Sequence, residues 1–248
     1  MEWVWSSILP GAMVGSASSS AATLEQVGTI NTGLYTTSVV IDGNGIVYAS
    51  MRPDPWWQQP LRTYSRSTGF QIAGGGDFDS CRLRMLVSRA EIIEISTGIS
   101  PTDMDYYRFD GTGNFVQHQN DIPHGGPPLD ARIFKVSPNA EFVITSSVGA
   151  VYSANSGMAH LGGLARGSRT FTDFDFDSTG NVIYATVEGE ALLQVYAYPS
   201  LQQTAQFSTR GRPRFVHRRG SDLIVVSQVG QFTTSGAIEV LPISPETP

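Results

Sequence analysis

From Phe171 the chain alternates apolar and polar side chains, Phe171-Thr172-Asp173-Phe174-Asp175-Phe176, turns through Asp177-Ser178-Thr179-Gly180-Asn181, and continues as Val182-Ile183-Tyr184-Ala185-Thr186-Val187. Alternation at period two puts every second side chain on one face of a strand, and two such runs joined by a Gly/Asn-rich turn predict a β-hairpin with one face to be buried. The plan recurs at residues 37–50, around Asp42-Gly43-Asn44-Gly45, and at residues 132–145, around Pro138-Asn139. Aligned on their turns, five units follow one another, with innermost hairpins near residues 37–50, 82–96, 131–146, 171–187 and 213–228. Second hairpins follow at residues 61–73, 106–118, 151–161 and 192–207. Four strands per unit, repeated about every 40–50 residues, predict an all-β chain built of propeller-type blades.

The fifth unit ends in Pro-rich sequence after Ala237-Ile238-Glu239-Val240-Leu241, one strand short. Residues 23–30, Thr-Leu-Glu-Gln-Val-Gly-Thr-Ile, precede the first full unit and match the outer strand at residues 200–207. An N-terminal strand that completes the last blade leaves no open sheet edge, which proteins avoid. On this repeat pattern residues 23–242 resemble a β-propeller of the WD40-like or YVTN-like repeat type. The resemblance implies five four-stranded blades closed by the N-terminal strand and a habit of binding partners on one face of the disc. The Trp-Asp and Gly-His fingerprints of WD40 repeats are absent.

Residues 1–22 carry Trp3, Val4, Trp5, Ile8 and Leu9 ahead of a Ser/Ala-rich tract. Glu2 stands where a signal peptide has a basic region, and Pro10-Gly11 break the apolar run, so the segment reads either as signal-like or as an N-terminal arm. Residues 23–248 then form one β-domain. With 248 residues, 40% hydrophobic and 15% charged, and with 26 Gly and 14 Pro, the composition is that of a packed, turn-rich protein. The net charge of −6 gives no reason to expect nucleic acid as partner, and no stretch of eighteen apolar residues marks a membrane span. Cationic residues are fifteen Arg and the single Lys135. The lone Cys81 can close no internal disulfide and has no neighbour at zinc-ligand spacing, so it reads as a buried thiol. Many Ser, Thr, Gln and Gly beside one Cys suit an extracytoplasmic or assembly-surface protein.

Counting back from the turns, Val39/Ile41, Met85/Val87, Phe134/Val136, Phe174/Phe176 and Phe215/His217 fall on one face of the first strands and predict the core between blades. The opposite face carries Ser38/Val40, Arg84/Leu86, Ile133/Lys135, Asp173/Asp175 and Arg214/Val216, and lines the expected channel. There Arg84, Lys135 and Arg214 balance Asp173 and Asp175, as charges withdrawn from water require. Asp173-x-Asp175-x-Asp177 departs from a calcium loop at Ser178 and Tyr184, and Gly74-Gly75-Gly76 lacks the residues of a phosphate loop. His118, His124, His160 and His217 show no metal spacing, and no Gly-x-Ser-x-Gly occurs. No metal or cofactor is expected.

The longest connections, residues 53–60, 96–107, 122–128, 162–170 and 209–213, are expected on one loop-rich face. They bring Trp56, Trp57, Tyr106, Tyr107, His124, Arg166, Arg169, Arg210 and Arg212, the residue types that anchor interfaces. The expected function is a non-catalytic protein-interaction or structural assembly module acting through that face. The alternatives are a lectin-like propeller stacking sugars on Trp56, Trp57, Tyr106 and Tyr107, and a glycoside hydrolase. The last needs convergent carboxylates, one of them protonated, and arginines near Asp173 and Asp175 would oppose that.

Overall fold

The computed structural model describes residues 28–52, 59–76, 80–86, 89–120, 126–230 and 235–243. Every regular element among them is a β-strand, and the strands form five antiparallel sheets, four of four strands and one of three. The chain divides into two compact units, residues 1–124 and 125–248.

The first unit holds two meanders. One is β1 (Tyr35–Ile41), β2 (Ile46–Arg52), β3 (Leu61–Ser65) and β4 (Gln71–Gly75). The other is β5 (Cys81–Leu86), β6 (Glu91–Ser96), β7 (Met104–Phe109) and β8 (Phe115–Gln119). Their facing sides bury Ile46, Tyr48 and Leu61 against Leu83, Ile92, Tyr107 and Phe109, each worth about 1.5–3 kcal/mol when fully withdrawn from water. The turns form because a short side chain replaces a ladder partner: Asp42 Oδ1 accepts from the Asn44 and Ile46 amides at 2.9 and 2.8 Å. Cys81 is buried, as its isolation in the sequence predicts.

The second unit holds three sheets. They are β9 (Phe134–Val136), β10 (Phe142–Thr145), β11 (Ala150–Ser153) and β12 (His160–Gly163); β13 (Phe171–Phe176), β14 (Val182–Val187), β15 (Leu192–Ala197) and β16 (Gln202–Ser208); and β17 (Arg212–Arg219), β18 (Asp222–Gln228) and β19 (Gly236–Pro242). Phe142, Ile144 and Val151 pack on Phe171, Phe174, Phe176 and Ile183. Tyr184, Leu193 and Val195 pack on Val216, Leu223 and Val225.

The ladders reveal a repeated irregularity. Thr36 pairs with Met51 and Ser38 with Ser50, leaving Thr37 as an extra residue; Phe171 pairs with Val187 and Asp173 with Thr186, leaving Thr172; Pro213 pairs with Ser227 and Phe215 with Val226, leaving Arg214. Such a bulge re-aims a side chain out of the ladder. Thr37 Oγ1 reaches the Cys81 carbonyl at 3.3 Å, and Thr172 Oγ1 reaches the Pro213 carbonyl at 3.0 Å. The next residue completes the clamp: Ser38 Oγ accepts from the Leu83 amide at 3.0 Å, and Asp173 Oδ2 from the Val216 amide at 3.0 Å. The same two-residue device thus ties β1 to β5 in the first unit and β13 to β17 in the second.

This register corrects the expected phase of the fifth unit. Val216 is 2% exposed and packs in the core, whereas Phe215 is 62% exposed. Counting back from the turn failed because β17 and β18 join through Gly220-Ser221 alone, Arg219 pairing with Asp222, while the fourth-sheet hairpin turns through a longer loop. A one-residue slip exchanges the two faces of a strand. The expected N-terminal strand is corrected where it is described: Gly28, Thr29 and Ile30 lie outside any strand, and Ile30 packs on Val47, Ala49 and Tyr64. Residues 1–27 lie outside the described residues, as does Val87.

Candidate functional site

Three first strands of the second unit carry the charged cluster. Lys135 on β9 places Nζ 3.8 Å from Asp173 Oδ1 and 3.9 Å from Asp175 Oδ1, both on β13. The other oxygen of each carboxylate is held by β17: Asp173 Oδ2 accepts from the Val216 amide at 3.0 Å and Asp175 Oδ2 from the Arg218 amide at 2.7 Å. His217 Nδ1 stands 3.3 Å from Asp175 Oδ2. Alternation on β13 aims both aspartates the same way, because Phe174 between them is needed in the core. Burial pushes the Asp173 carboxyl above the usual carboxylate range, although Lys135 and the two backbone amides that bond it pull the other way.

The expected channel residues therefore come together in part. Lys135, Asp173 and Asp175 meet. Arg214 does not join them; its Nη2 donates to Gln228 Oε1 at 2.8 Å, because the bulge turns it back toward the start of β17. Arg84 belongs to the first unit, where its Nη1 donates to the Leu83 carbonyl at 2.9 Å. His217, expected in the core, takes the place beside Asp175 for the reason of phase given above.

Of the expected loop residues, Trp56, Trp57 and His124 lie outside the described residues. Tyr106 and Tyr107 are corrected: they sit in the middle of β7, 4% and 0% exposed, and offer no stacking surface. Arg166 and Arg169 lie between β12 and β13, where Arg166 Nη1 donates to the Arg169 carbonyl and Arg169 Nε pairs with Glu190 Oε1 at 3.0 Å. Arg210 precedes β17, with its amide on both carboxylate oxygens of Glu239 at 2.9 Å. Arg212 opens β17 itself instead of sitting in a loop.

The first unit contains a buried polar network that strand patterning does not announce. Glu94 and Asp105 are cross-strand partners on β6 and β7, both 3% exposed. The Tyr107 hydroxyl lies 3.0 Å from Glu94 Oε1 and 3.1 Å from Asp105 Oδ2, and His118 Nε2 lies 2.9 Å from the same Asp105 oxygen. The imidazole stacks on the Tyr107 ring, centroids 4.3 Å apart. Burial first, then the two carboxylates, pushes the Tyr107 phenol far up, so it stays a donor. The one signal in the sequence is Glu94, set between Ile93 and Ile95 in β6.

The fifth sheet exposes an apolar ladder. Phe215 and Ile238 both pair with Val226, one on each side, and Val240 lies one rung on, beside Ile224; Ile238 is 75% and Val240 61% exposed. Among the described residues no cluster of His, Cys, Asp and Glu is disposed to hold a metal ion, and no helix is long and apolar enough to cross a membrane.

No protein-family model matches the chain, and no curated protein matches it. In architecture it is similar to the crystal structure of a functionally unknown protein from Desulfotomaculum acetoxidans DSM 771, with a TM-score of 0.62 and 15% identity over 84% of this chain and 68% of that one. A likeness at that identity bears on the fold alone, and a fold that 709 solved chains match in this way carries no activity of its own.

Proposed function

We propose that the chain is a non-catalytic interaction module on a five-bladed, propeller-type scaffold. The five successive antiparallel sheets support the blade reading, and β19, which pairs only with β18 among the described residues, supports a missing fourth strand. One observation carries the non-catalytic reading: the two carboxylates gathered on the first strands are both engaged, each holding a β17 amide and sharing Lys135. A hydrolase needs one free carboxylic acid and one free carboxylate across a substrate. The exposed Phe215, Val226, Ile238 and Val240, with arginines at the start of β17, have the apolar-plus-Arg make-up of an interaction surface. The loop that carries Trp56 and Trp57 is proposed as a separate contact of the first unit.

The glycosidase reading rests on one point in its favour, the raised acid of Asp173. A panel of chromogenic glycosides tests it. No turnover is expected; hydrolysis that vanishes in folded Asp173→Asn and Asp175→Asn variants would overturn the module reading. Glycan binding without turnover, lost in Trp56→Ala/Trp57→Ala, would replace it with a lectin.

A further inference from the structure

We infer that the end of the second unit where β13 and β17 begin is a docking site for an acidic polypeptide segment. The inference rests on the interaction-module reading and names the chemistry of its partner. β13 and β17 run in the same direction, since Thr172, Asp173 and Asp175 meet Pro213, Val216 and Arg218 in that order. The segments leading into them therefore enter from one end, which puts Arg166 and Arg169, ahead of β13, at the same end of the two sheets as Arg210 and Arg212. Arg214 joins them because its guanidinium folds back to Gln228, the cross-strand partner of Arg212.

The charge at this end is unbalanced. Arg169 is paired with Glu190. Arg166, Arg210, Arg212 and Arg214 have no carboxylate within ion-pair distance of their guanidinium groups among the described residues. The nearby acids are engaged: Glu188 accepts from Thr170 Oγ1 at 2.8 Å, and the buried Glu239 takes the Arg210 amide and lies 3.3 Å from Ser227 Oγ. Unpaired guanidinium groups thus gather in a chain of net charge −6.

Arg210 stands in the bend before β17, Arg212 opens the strand and Arg214 turns back from the bulge toward the rung of Arg212, so the three guanidinium groups are offered within a five-residue stretch at the start of β17. Guanidinium forks match carboxylates with two parallel bonds. A single-stranded nucleic acid or a glycan would call for aromatic platforms; residues 162–170 and 209–213 contain no aromatic side chain, and the one exposed aromatic at the start of β17, Phe215, belongs to the apolar ladder with Val226.

The test uses the full chain and a fluorescein-labelled peptide of alternating Glu and Ser long enough to span the three arginines, read by anisotropy. The peptide binds the wild type. Arg210→Gln/Arg212→Gln weakens it roughly tenfold, as does raising salt from about 0.05 to about 0.5 M. Arg219→Gln, at the far end of β17, leaves affinity unchanged. Absence of peptide binding, equal loss in the Arg219 variant, or tighter binding of an oligo-dT strand lost in the same double variant overturns the inference. Those outcomes leave the module reading standing; glycoside turnover dependent on Asp173 removes the module reading whatever the peptide does.

Discussion

Replacing Lys135 by Met keeps the apolar stem and removes the charge shared by Asp173 and Asp175. At about 4 Å an ion pair near a protein surface is worth about 4 kcal/mol before desolvation and side-chain entropy are subtracted. Breaking a buried pair costs about 3–5 kcal/mol. Lys135 is 24% exposed and the aspartates 14% and 17%, so solvent screening reduces the loss, and both carboxylates keep their β17 amides. About 2 kcal/mol of destabilisation is expected at neutral pH. The pH dependence sharpens the test. Asp173 has its folded pKa raised, chiefly by burial, so its contribution is fully present below the ordinary carboxylate range and is lost as pH rises through the raised value. Without Lys135 the carboxyl rises further. A protonated Asp173 no longer needs the ammonium, so the cost of Lys135→Met shrinks on acidification from neutral pH toward the ordinary aspartate range. Urea denaturation of both proteins at a series of pH values reads this directly. An unchanged midpoint at neutral pH, or a difference that does not vary with pH, would refute the cluster as described.

The remaining predictions address the fold. Val216→Ala should lower stability by about 2 kcal/mol through a core cavity, while Phe215→Ala on the exposed face should stay within about 0.5 kcal/mol; the opposite order in thermal melts would restore the rejected phase of β17. Thr37→Val and Thr172→Val should each cost about 1 kcal/mol in urea unfolding, by leaving an inter-sheet carbonyl unbonded. Tyr107→Phe, which deprives two buried carboxylates of their shared hydroxyl, should cost about 1–3 kcal/mol in the same assay. Gly211→Ala would set a Cβ 2.5 Å from the Gln228 carbonyl oxygen, and a loss of about 2 kcal/mol or more is expected from the backbone shift this forces.

Period-two alternation made the strands legible, because each half-buried strand must place an apolar residue at every second position, as Phe174 and Phe176 do, while Phe171 falls out of step because Thr172 is the bulged residue. What alternation does not carry is the phase between units. It is reset by turn length and by the bulges at Thr37, Thr172 and Arg214, neither of which changes the composition of the strand. Tyr106 and Tyr107 were misplaced for a related reason. β7 is covered on both faces, so its sequence, Met-Asp-Tyr-Tyr-Arg-Phe, shows no alternation, and Asp105 reads as a loop residue until Glu94, Tyr107 and His118 are seen to engage it. Polar residues bonded across sheets cannot be told from surface residues in one dimension, since their partners lie 41 to 45 positions away in the clamps described here.

The corrected phase changes what the inner strands of the second unit amount to. Lys135, Asp175 and His217 occupy equivalent positions on β9, β13 and β17, Asp173 standing two residues before Asp175. With a neutral imidazole the four groups sum to −1, from one ammonium and two carboxylates. A proton taken up by Asp173, whose carboxyl burial holds above the usual range, brings the sum to zero. Had Arg214 supplied the third group, as the uncorrected phase had it, the cluster would be neutral at neutral pH and acid would unbalance it. With His217 there instead, the charge left over is a carboxylate's, and Asp173, held above the usual range by burial, should give up its contact with Lys135 as pH falls before Asp110, Asp130 and Asp177, whose hydrogen bonds hold them below that range, give up theirs.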